Sequence, residues 1–320
     1  MNAEIEDLAR MLPAGEPELS PMRHRQLKNH FEREITRSRT RPRIRLLSLL
    51  TPVAAAGAVA LVVGFQALGG GTDAPTEKIA YVPAPIIKVQ RATTGDVAAT
   101  LNRIADAAAR EPAVAIRPDQ YVYTESMVTS TRPEQQKTFD GPVELIALHK
   151  RRTWIPQDVA EEGLIRENGR DIPLSLAGDG LNYERLAQLP TDPAALLEWL
   201  YARQEDRDPL RAFSQIQGLM SETVIPPATR AALYRATALI PGVRLVPASV
   251  DAADREGMAV AFDADGERVE WIFDKGTLAF LGTRDYLIAD SGRGKAGTLL
   301  SSSAVVTQKV TDQAGDPGSE

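Results

Sequence analysis

From Leu46 to Thr72 no side chain carries a charge, in a chain of 320 residues where one residue in four does. The apolar part, Leu46–Leu68, is interrupted only by Ser48, Thr51, Pro52 and Gln66. As a helix, its 23 residues reach about 35 Å at about 1.5 Å each, enough to cross a hydrocarbon layer of about 30 Å. Only a helix satisfies the backbone of a single segment there. Pro52 lies near the start, where it kinks or begins the helix rather than breaking it. Ala54, Ala55, Ala56, Gly57, Ala58 and Ala60 make the span weakly hydrophobic and permit close helix contacts.

Charge around the run sets its direction. Arg37, Arg39, Arg41, Arg43 and Arg45 stand directly before it, and only Asp73, Glu77 and Lys78 follow closely. Positive flanks stay in the cytoplasm, so the reading is N-terminus in and C-terminus out, in a bacterial cell membrane. A cleaved signal peptide is the competing reading, with Ala67-Leu68-Gly69 as its small-x-small site. Against it stand the length of the run and the 45 residues before it. Residues 1–45 hold 10 Lys/Arg and 7 Asp/Glu, whereas residues 73–320 hold 27 and 36, a balance of −9. An acidic bulk argues against a nucleic-acid partner, which needs clustered basic surface. Attraction to anionic lipid accounts for the arginines.

These breaks divide the chain into a basic cytoplasmic tail (1–45), a transmembrane helix (46–68), a Gly-rich linker (69–78), an extracytoplasmic domain (79–312) and a loose end (313–320). In the tail, residues 3–12 read as a helix, and Ser20-Pro21 starts another with Leu27, Phe31 and Ile35 in a stripe. That stripe suits a partner or the membrane surface. Thr93 or Thr94 caps a helix carrying Val97, Leu101, Ile104 and Ala108. Strands follow at 120–130, 143–154 and 163–168. Three helices come next: one starts at Thr191-Asp192-Pro193, and the others cover 208–222 and 227–240. The closing strands are Val243–Val250, Met258–Asp263, Arg268–Asp274, Leu278–Ala289 and Thr298–Val310. Asp265-Gly266 and Lys275-Gly276 sit at hairpin turns. The fold class is α+β, with one curved antiparallel sheet covered by helices.

Chemistry is sparse. The chain has no cysteine, which removes disulfides, zinc-thiolate sites and thiol nucleophiles. No Gly-x-Ser-x-Gly, Ser-x-x-Lys or His-Glu-x-x-His occurs. His149 is the one histidine after the span, and a strand position explains it. Asp263 to Glu267 lacks the spacing of a calcium loop, and a hairpin turn explains Asp265-Gly266. No catalytic residue, metal ligand or cofactor is assigned, and the chain is read as no enzyme. One candidate surface remains. Met258, Val260 and Phe262 share a strand parity, as do Val269, Trp271 and Phe273. The opposite set, Ala259, Ala261, Asp263, Arg268, Glu270, Ile272 and Asp274, is mostly small or charged. The apolar face must be covered, either as ordinary core or, under a looser helical lid, as a site for a lipid acyl chain.

Two resemblances add to this. Gln188–Leu197, with Leu233-Tyr234-Arg235-Ala236, Ile240-Pro241-Gly242-Val243, Phe273-Asp274 and Leu281-Gly282, resembles an actinobacterial family of single-pass membrane proteins of unknown function. Its members are often encoded beside extracytoplasmic-function sigma factors. This implies a regulatory or sensing role in the cell envelope, with a sigma factor as cytoplasmic partner of residues 1–45. The alternative is an envelope lipid- or wall-binding module without signalling. The order of elements is also similar to the half-barrel of bacterial lipoprotein carriers, in which a concave sheet under helices holds acyl chains. Protease added to intact spheroplasts is expected to remove residues beyond about 75 and spare the tail; a mature product beginning near Gly70 refutes the anchor.

Overall fold

The computed structural model describes residues 79–132, 135, 141–176 and 180–318. The tail, the candidate span and its linker lie outside the described residues. Among the described residues no helix is long and apolar enough to cross a membrane. In chain order the elements are β1 (Tyr81–Pro83), α1 (Val97–Ala109), β2 (Tyr121–Ser130), β3 (Glu144–Ile146), β4 (His149–Pro156), β5 (Glu162–Glu167) and β6 (Arg170–Ser175). Then come α2 (Tyr183–Ala187), α3 (Pro193–Ala202), α4 (Pro209–Glu222) and α5 (Pro227–Thr237). The chain closes with β7 (Val243–Val250), β8 (Glu256–Ala264), β9 (Glu267–Phe273), β10 (Phe280–Leu287) and β11 (Leu299–Thr311).

Nine strands form one antiparallel sheet in the order β6-β5-β4-β2-β11-β10-β9-β8-β7, and β1 pairs with β3 in a small second sheet. Each half is a meander, as short connections between sequential strands dictate. The halves meet where β11 lies beside β2, with Ser301 opposite Ser130 and Thr311 opposite Tyr121. Near the middle a bulge sets Val306 outside the pairing, which leaves it half exposed. Both edge strands carry a mid-strand proline, Pro173 in β6 and Pro247 in β7. Proline lacks a ladder donor and is at home only on an edge.

Local chemistry explains most boundaries. Asp192 accepts the Ala195 amide at 2.8 Å and Asp208 that of Leu210 at 2.9 Å, each followed by a proline at the first helical position. Asn168-Gly169 and Asp265-Gly266 have both residues at positive φ, the turn that matches strand twist. The second long turn differs from expectation. Its left-handed residue is Leu278 (φ 62°), not Gly276, and Asp274 Oδ1 accepts from the amides of Gly276 and Thr277. The start of α1 is a correction too. Asp96, in the left-handed region, precedes the helix with no side-chain cap, and Thr93 exchanges two 2.8 Å backbone bonds with Leu245 instead. The strand expected over 143–154 is two, because the backbone leaves β3 at Ala147 to bond Ala80. β6 and α2 were not expected.

Helices α1, α3, α4 and α5 cover one face of β7–β9, and their apolar side chains form the main core. Trp271 is fully buried there, stacked on Phe213 with ring centroids 3.9 Å apart, and its indole N–H donates to Gln217 Oε1 at 3.2 Å. Residues 313–318, within the end read from sequence as loose (313–320), lie back on the other face of the sheet. The Trp154 indole N–H needs an acceptor once buried, and it finds the Asp316 carbonyl at 3.0 Å. Trp271→Ala is expected to destabilise the domain by about 3–5 kcal/mol, measured by urea unfolding. A loss below about 1 kcal/mol would mean that the helices do not pack tightly there.

Candidate functional site

The six residues singled out from sequence are brought together. Across β8 and β9, Met258 lies opposite Phe273, Val260 opposite Trp271 and Phe262 opposite Val269, so all six share one face. Five are buried in the core under the helices, and Met258 is partly buried at its margin. Phe213 sits between Trp271 and Phe262, and Tyr234 packs edge-on against Phe273 at 5.6 Å. Aromatic side chains of α4 and α5 thus occupy the volume directly above the strands.

Of the six, Met258 lines a concavity. A groove of about 460 Å³ runs between the start of α1 and the edge strand β7, lined by Thr93, Asp96, Arg103, Leu245, Pro247 and Met258 among others. It lies where the chain passes from one face of the sheet to the other. A second pocket, of about 250 Å³, opens between α4, α5 and the middle of the sheet, beside Met220, Tyr234, Phe280 and Val305. Thr223 lines it, and its buried hydroxyl has no hydrogen-bond partner.

The opposite face, small and charged in sequence, is buried as well. Glu270 is fully buried and accepts from Ser249 Oγ (2.6 Å), Tyr286 OH (2.6 Å) and Arg284 (3.0 Å). Arg268 forms a two-point pair with Asp263 at 2.6 and 3.0 Å and donates to the Gln90 carbonyl at 2.7 Å. Burial of such charges is tolerated because each is paired and hydrogen-bonded. The signal for this network was present in sequence. Arg268 and Glu270 alternate on β9, Arg284 and Tyr286 on β10, and the antiparallel register sets Glu270 against Arg284.

Two further clusters hold titratable groups. His149 places Nε2 at 2.7 Å from Glu167 Oε1 and Nδ1 at 2.7 Å from the Ala147 carbonyl. Burial opposes its charge, but those two acceptors raise its pKa overall. With both ring nitrogens engaged, the ring serves as an ion-pair member rather than a free base. Arg151 extends the cluster to Glu167 and Glu222. At the far end of β9, burial pushes the Glu267 carboxyl up to about 7 against the pull of Arg293. Its neighbour Asp285 is fully buried, accepts from Ser301 Oγ at 2.5 Å, and is driven by burial well above the usual carboxylate range. Among the described residues no group of three His, Cys, Asp or Glu side chains is placed to hold a metal.

No protein-family model matches this chain, and no curated protein matches it significantly. The sign of the Glu267 effect on stability follows from its raised value. The folded protein holds the proton up to about pH 7, whereas the unfolded chain releases it at the ordinary carboxylate value. Its contribution is complete in acid and is lost as pH rises towards 7. Glu267→Gln is therefore expected to flatten the fall in urea midpoint between about pH 5 and 7 relative to the wild type. Parallel pH profiles would overturn the assignment.

Proposed function

We propose that this chain is a membrane-anchored regulatory or sensing protein of the bacterial envelope, whose outer domain binds rather than catalyses and whose basic tail engages a cytoplasmic partner. The observation that carries this reading is the charge-free Leu46–Leu68 run behind five alternating arginines, followed by a short linker and a large acidic domain. Two features of that domain bear on where it could bind. Its helix-covered face is filled by side chains of the fold itself, which favours ordinary core over an acyl-chain cavity there. Its 460 Å³ groove lies at the junction of α1, β7 and the segment that leads in from the linker, so an occupant would act on the membrane-proximal end of the fold.

The resemblance to proteins encoded beside sigma factors supplies the proposed partner of residues 1–45. An envelope lipid- or wall-binding module is the second reading, favoured by the unpartnered Thr223 hydroxyl in the smaller pocket. Residues 1–45 immobilised as bait in a lysate of the source organism separate the two. Specific capture of a sigma factor, lost when Leu27 and Phe31 are replaced by aspartate, is the expected result. Retention of lipid alone would favour the second reading.

A further inference from the structure

Residues 81–93 run as a strap over the back of the sheet. The strap begins as β1, passes Ile87 along Gly297 (2.8 Å), gives the Gln90 carbonyl to Arg268, and ends at Thr93 on the edge strand β7. From Tyr81 to Gln90 the partly buried positions are Tyr81, Ala84, Ile87 and Gln90, one residue in three, and Ala92 is partly buried beyond them. That period is the one of an extended polyproline-type segment, which Pro83 and Pro85 favour. The residues between them face away from the fold.

What they present is unusual for a water-facing surface. Among the described residues seven large hydrophobic side chains are exposed, and three of them, Val82 (40%), Ile86 (66%) and Val89 (36%), lie on this strap. A fourth, Leu148, follows Ala147, which bonds Ala80 at the strap's start. The charge is also out of character. From Lys78 to Gly95 there are three basic residues, Lys78, Lys88 and Arg91, and no acidic one, in a region whose balance from 73 to 320 is −9. Twelve residues separate the strap from the candidate span, and even a fully extended chain of that length reaches only about 40 Å. An apolar stripe with basic residues, tied that close to a bilayer, has the composition of an interfacial contact with anionic lipid.

We propose that the outward face of this strap, Val82, Ile86, Val89, Lys88 and Arg91, docks on the anionic lipid surface of the membrane that anchors the chain. The proposal rests on the membrane-anchored reading. Docking fixes how the outer domain lies on the bilayer, with the sheet's back towards lipid and the helix-covered face away from it.

The absence of cysteine makes the test clean. Full-length chain with Ile86→Cys, or with Leu239→Cys as the reference exposed site, is labelled with an environment-sensitive fluorophore and reconstituted in vesicles containing one part phosphatidylglycerol to two parts phosphatidylcholine. The label at position 86 is expected to be shielded from iodide and quenched by nitroxide lipids, and the label at 239 to stay in water. Replacing Lys88 and Arg91 by alanine is expected to lower the docked fraction's ratio to the free one about 25-fold, a factor of about five per basic residue. Resistance to carbonate extraction reports on the span separately. A chain that resists extraction while position 86 is as accessible as 239 overturns the docking and leaves the anchor. A chain that carbonate extracts, with position 86 open to water, overturns both. Shielding that ignores lipid charge and vanishes at one chain per vesicle assigns the face to a second copy and likewise overturns the proposal.

Discussion

The pairing of β11 with β2 holds the rest of this structure in place. Ten register positions join residues 121–130 to residues 301–311, so the two meanders become one sheet only when the ends of the domain meet. Neither half covers itself. The helices α2–α5 lie between the meanders in sequence, yet their main core is built on β7–β9, while the first meander keeps a smaller cluster around Val122, Ile155 and Ile165. Contacts of such sequence separation carry a loop-closure cost that the hairpins do not, which slows folding. The bulge beside Val306 absorbs one extra residue of the 13-residue β11 in its pairing with β2.

A sheet joined in this way has two faces to hide, and the chain uses different chemistry for each. Under the helices the solution is apolar volume, with Phe213 against both Trp271 and Phe262, and Phe273 against Tyr234 and Phe280. On the back it is a strap laid over paired charges. Glu270 receives three hydrogen bonds, and Arg268 is held between Asp263 and a backbone carbonyl of the strap. A network of this kind adds little net stability, because desolvation offsets attraction, but a misplaced strap would leave charges unpaired. It therefore fixes where the strap runs.

The legible parts of the fold were those set by local chemistry. Asp192-Pro193 and Asp208-Pro209 mark helix starts because the cap and the fixed φ act within one turn. Asp265-Gly266 marks a hairpin for the same reason. The six apolar residues of β8 and β9 share a face because strand parity alone decides it. What escaped depends on partners far along the chain. Arg268, Glu270 and Arg284 look solvent-facing until the strap and β10 are placed around them. Thr93 suits a helix cap but takes a strand partner, and Trp154 brings down a tail that composition marks as loose. β6 was hidden by Pro173, which argues against a strand unless the strand is an edge.

The two edge prolines have a consequence wherever copies of this domain are crowded, as tethering at a surface would crowd them. Tethered molecules share a plane and collide at local concentrations far above those of the same number in solution. A sheet that ends in open strands would invite its neighbours to add to it, and lateral growth in two dimensions needs only two free edges. Pro173 and Pro247 each remove a donor from the middle of an edge, and Thr93 occupies the acceptor and donor of Leu245 on one of them. The nine-stranded sheet thus offers its own copies two interrupted edges, which disfavours strand-to-strand growth where such domains are crowded.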